Sequence, residues 1–74
     1  MAKLRVLSGA EVCAILAGFG FHEVRRRGSH IVMQRSTEGK TTTVPVPDHR
    51  ELRTGTLRAN IRQSGLPKEL FETD

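Results

Sequence analysis

Seventy-four residues, 36% of them apolar, suffice for one small domain spanning 1–74. A chain this short buries only about 60% of its unfolded surface, which excludes a self-contained dinucleotide-binding enzyme or any other large enclosed cofactor site. The net charge of +4, with nine of the twelve cations being Arg, points toward phosphate or an acidic protein.

In chain order, the first element is announced by Ser8-Gly9-Ala10-Glu11, an S-x-x-E capping box. Leu7 and Val12 fit the hydrophobic staple that accompanies it. Val12, Ile15, Leu16 and Phe19 recur at i, i+3, i+4 and i+7, predicting one apolar stripe on a helix from about Gly9 to Gly18. Gly18 and Gly20 supply the stop. The opposite face carries Ala10, Ala14 and Ala17, read either as helix propensity or as a flat surface for another protein.

From Phe21 the period shortens to two. Phe21–Arg27, Ser29–Arg35 and Thr41–Val46 read as strands, separated by a turn at Gly28 and by Ser36–Lys40. Ile31 and Met33 share one face of the second strand, with His30, Val32 and Gln34 on the other. Pro45 cannot donate to a ladder, so the third strand lies at an edge or ends there. The economical arrangement is an antiparallel meander with the His30 strand in the middle.

Pro47–Arg53 reads as loop, and a second helix begins near Thr54-Gly55-Thr56 with Thr54 as its cap. Leu57 and Ile61 face the core, Arg58 and Arg62 form a basic ridge beside them, and Gly65 closes the helix. Pro67 suits the first position of a short terminal turn through Phe71. The expected fold is α+β: a two-layer α-β-β-β-α domain, with a three-stranded antiparallel sheet and both helices on one face.

Three groups carry chemistry. His30 follows a tight turn beside arginines, and an imidazole exchanges protons near neutral pH. Arg25, Arg26 and Arg27, the ridge of Arg58 and Arg62, and the helix start at Thr54, Gly55 and Thr56 suit phosphate. Alternation divides the arginine triplet between the two sheet faces. Pro47-Asp48-His49 offers a second histidine, although Asp48 and His49 are neighbours that tend to point apart.

Other chemistries find little support. Cys13 alone makes no disulfide and reads as a packed small residue. His22 reads as a strand-surface residue without a role. No histidine spacing suits a metal, so no metal or small-molecule cofactor is expected. Without Trp or Tyr, stacking on aromatics is not the main mode of RNA binding. No apolar run approaches the ~20 residues of a membrane span, and the charged start lacks a signal-peptide core. The expectation is a soluble, cytoplasmic protein.

Taken together, Gly20-Phe21, Gly28-Ser29-His30, Thr43-Val44-Pro45, Gly55-Thr56-Leu57-Arg58 and Ile61-Arg62-Gln63-Ser64-Gly65-Leu66 resemble the HicA toxin family. The likeness runs from about Ser8 to Leu66. It implies a double-stranded-RNA-binding-like fold and metal-independent cleavage of mRNA, with His30 matching the catalytic histidine. His49 is the weaker candidate for a second acid or base. Arg25, Arg27, Ser29, Thr54, Gly55, Thr56, Arg58 and Arg62 are the expected phosphate contacts. Neutralisation by a HicB-type antitoxin is implied as well. The alternatives from the residues alone are a non-catalytic RNA- or DNA-binding module and an adaptor acting through the alanine face.

Overall fold

The computed structural model describes residues 3–73. After a short strand β1 (Lys3–Leu4), Ser8 caps helix α1 (Gly9–Ala17). Its hydroxyl accepts from the Glu11 amide at 3.0 Å, and the Glu11 carboxylate accepts from the Ser8 amide at 2.9 Å. The capping box is therefore complete, and two amides that a helix start leaves without partners are satisfied. Those bonds, the one from the backbone first, hold the Glu11 carboxyl below its ordinary 4.5.

Val12 and Leu16 are buried and Ile15 is partly so, but Phe19 is 44% exposed and does not continue the stripe. The helix stops at Ala17 with Gly18 as its cap, and the chain reverses through Gly20, whose φ is +94°. A 3.6-residue period has no meaning past that point, and Phe21 takes the core position instead.

Strands β2 (His22–Arg27), β3 (His30–Thr37) and β4 (Lys40–Pro47) form an antiparallel sheet with β3 in the centre. The β2–β3 connection is Gly28-Ser29, with Gly28 at φ +57°. A two-residue turn whose first residue is left-handed follows the twist of the strands it joins, and glycine meets that φ without strain. The register that results sets Arg27 opposite His30.

Alternation then sorts the sheet. Ile31 and Met33 of β3 and Val44 and Val46 of β4 share one buried cluster with Val12 and Leu16 of α1. Leu57 and Ile61 of helix α2 (Thr54–Ser64) enter the same cluster. Both helices therefore cover one face, in the two-layer α-β-β-β-α arrangement. The opposite face presents Arg25, Arg27 and His30, all exposed, and a register shift between Glu23 and Arg25 brings the exposed His22, opposite Gln34, to that face as well.

Thr54 is not the cap of α2. The Leu57 amide bonds the Arg53 carbonyl at 2.9 Å, so the helix begins one residue earlier than expected. Arg53 occupies the cap position and makes no side-chain capping bond. Gly65, at φ +72°, ends the helix. Pro67 likewise stands one place earlier than expected, as the cap of a 3₁₀ turn at Lys68–Phe71. Strand β5 (Glu72–Thr73) pairs antiparallel with β1, Leu4 opposite Glu72, in a small second sheet that local sequence did not announce.

Candidate active site

His30 is the first residue of β3 because the turn before it is only two residues long. In the ladder it lies opposite Arg27 on one side and Pro47 on the other. Arg25, opposite Val32, shares that face. Arg26 belongs to the other face, where its guanidinium meets the Asp48 carboxylate at 2.8 Å and that of Glu23 at 3.5 Å. The triplet thus divides as alternation requires: Arg25 and Arg27 stand with His30, and Arg26 is occupied elsewhere. The Ser29 carbonyl accepts from the Asp48 amide, tying the histidine turn to the end of β4.

Beside His30 a cleft of about 600 Å³ opens between the edge of β4 and α2. Pro45 and Pro47 form its strand side; Arg53, Gly55 and Thr56 form its helix side, with Asn60 and Gln63 a turn and more along. Asn60 draws the two elements together, its Nδ2 donating to the Pro45 carbonyl at 3.0 Å. Its Oδ1 is buried and has no hydrogen-bond partner among the described residues. With no side-chain cap, α2 leaves its first-turn amides and the positive end of its dipole at this cleft.

Among the expected residues, His30, Gly55 and Thr56 therefore line one cleft, and Arg25 and Arg27 share the sheet face of His30. Thr54 and Ser29 are exposed nearby but are not part of the lining. Arg58 and Arg62 are not brought to His30 at all; they line a separate groove on another flank of α2. His49 is exposed and outside the His30 cleft, and its backbone carbonyl accepts from the Gly9 amide at 2.9 Å. Asp48, engaged by Arg26, orients no imidazole.

Arg53, Asn60 and Gln63 were not anticipated. Asn60 and Gln63 lie four and seven residues after Thr56, on the same face of the helix, and that spacing was the available signal. His22 is exposed on the sheet, as expected. Cys13 packs against the core, and burial first, then the Glu23 carboxylate, pushes its thiol up. Among the described residues no three His, Cys, Asp or Glu side chains gather to hold a metal ion. No helix among them is long and apolar enough to cross a membrane.

An α-β-β-β-α domain with both helices on one sheet face has the architecture of double-stranded-RNA-binding domains, here with a histidine and two arginines on the opposite face. Residues 9–66 match the family described as HicA toxin of bacterial toxin–antitoxin, and since they make up most of the chain, it belongs to that family. HicA toxins are endoribonucleases acting on mRNA, in general without a metal, and membership implies an RNA substrate and a HicB-type antitoxin. Comparison with curated proteins returned no match.

Proposed function

We propose that His30 is the histidine with which this toxin cleaves mRNA, and that the scissile phosphate lies in the cleft between β4 and α2. The observation that carries this reading is that His30 and the uncapped start of α2 line the same cleft. A phosphate there meets backbone amides at Gly55 and Thr56 and the helix dipole, with Arg53, Arg27 and Arg25 supplying charge.

His30 accepts the proton of the ribose 2′-OH. The 2′-oxygen forms a new bond to phosphorus, the bond from phosphorus to the 5′-oxygen breaks, and the leaving 5′-oxygen takes a proton. The substrate itself holds its nucleophile near phosphorus, so the protein needs to supply little beyond a base and an anion site. His49 lies outside the cleft, and water is assigned as the donor to the 5′-oxygen. A HicB-type antitoxin silences the toxin by covering this cleft.

The chemistry of the ends tests the scheme. Mass spectrometry of a cleaved oligoribonucleotide should find 2′,3′-cyclic phosphate on one fragment and 5′-hydroxyl on the other. Fragments ending in a 3′-hydroxyl would sink it.

A further inference from the structure

A second groove, of about 580 Å³, lies on another flank of α2 from the His30 cleft, and we propose that it docks an acidic protein segment carrying an aliphatic side chain. Arg58 and Arg62, one helical turn apart, and Lys68 of the terminal turn give it three cations. Ile61, Leu66 and Leu4 give it an aliphatic lining. Among the described residues the only carboxylate in the lining is Glu72, whose side chain is 13% exposed and lies 3.7 Å from the Lys68 ammonium. Among the described lining residues, three positive charges stand against one negative, a net charge of +2.

That combination selects for a protein over RNA. Leu4, Ile61 and Leu66 offer a sugar-phosphate backbone no polar partner, whereas an aliphatic side chain buries against them. Arg58 and Arg62 are also absent from the lining of the His30 cleft, so a strand held there would have to turn around the helix to reach them. A leucine or isoleucine flanked by Asp and Glu satisfies both parts: its side chain displaces water from Leu4, Ile61 and Leu66, while its neighbours pair with the two guanidinium forks. The pairing of β1 with β5 acquires a role in this reading. By setting Leu4 opposite Glu72, it builds one wall of the groove from the two ends of the described chain.

The test is an NMR titration of the ¹⁵N-labelled full chain with three probes. One is a short acidic peptide with central leucines, the second is the same peptide with serines in their place, and the third is a 2′-O-methyl oligoribonucleotide that resists cleavage. The leucine peptide is expected to shift the amides of Leu4 and of Ile61 through Leu66. It should bind about fivefold or more tightly than the serine peptide, the effect of partly burying one aliphatic side chain. The variant Arg58→Glu/Arg62→Glu, altered at two exposed positions, should weaken that binding about tenfold or more.

Equal binding of the two peptides, or shifts spread over the whole basic surface, would overturn the proposal. So would oligonucleotide shifts at Ile61 through Leu66, since the groove would then belong to RNA. None of these readouts depends on the role of His30.

Discussion

Gly9 shows how closely one residue can be tied to the fold around it. A Cβ built on it would stand 2.0 Å from the Pro47 carbonyl oxygen and 3.1 Å from the Asp48 Cα, both of them backbone atoms that cannot swing aside. The first residue of α1 is thereby pressed against the end of β4, where its amide also bonds the His49 carbonyl. Gly9→Ala should cost about 2 kcal/mol, lowering the melting temperature by about 10 °C in a domain of this size. Thermal denaturation checks this. Little at the residue scale beyond the motif itself hinted at that contact, because the partner lies nearly forty residues away (Gly9 to Pro47). By contrast, the position of His30 was legible: a glycine turn and strict alternation determine both its strand and its face. The same alternation correctly separated Arg26 from Arg25 and Arg27.

At the scale of elements, α1 was the most legible because its signals are local. Ser8 and Glu11 are three residues apart and satisfy each other without help from the rest of the chain. Ser8→Ala should cost about 1 kcal/mol, the usual loss on removing a serine cap, measurable by urea unfolding. The pH dependence carries a definite sign. The folded-state pKa of Glu11 is depressed below 4.5, so its contribution is present above that pH and is lost as pH falls through the lowered value. Melts across the acid range should therefore show the wild type losing, on acidification, an increment that Glu11→Gln does not lose.

Elements whose meaning depends on distant partners were less legible. Phe19 continued a helical period that the chain had already abandoned at Gly18. Thr54 looked like a cap by residue type, yet the helix is set by the bond from Leu57 to Arg53. The β1–β5 pair joins segments at opposite ends of the sequence, for which a two-residue strand carries no signal. Arg58 and Arg62 were correctly read as one ridge, but which way that ridge faces follows from the rotation of α2 about its axis. Leu57 and Ile61 packing on the sheet fix that rotation, and it turns Thr56, Asn60 and Gln63 toward His30 instead.

For the whole molecule, size governs how any variant is interpreted. The core is one cluster spanning both helices and the sheet, and a domain of this length has about 5 kcal/mol of stability to lose. Leu57, 2% exposed, lies at its centre. Leu57→Ala should cost about 3 kcal/mol, lowering the melting temperature by about 15 °C, so that activity and helical circular dichroism are lost together at temperatures the wild type withstands. His30 is exposed on the face away from that core, so its removal should leave folding intact. The contrast between the two variants separates loss of structure from loss of chemistry.

The most direct measurement is the cleavage rate of purified wild type and His30→Ala on the same RNA, with circular dichroism recorded on both. A general base at this position predicts a fall of about a thousandfold in rate with an unchanged spectrum and melting temperature. Cleavage by a folded His30→Ala at the wild-type rate would contradict the account and remove His30 from the chemistry.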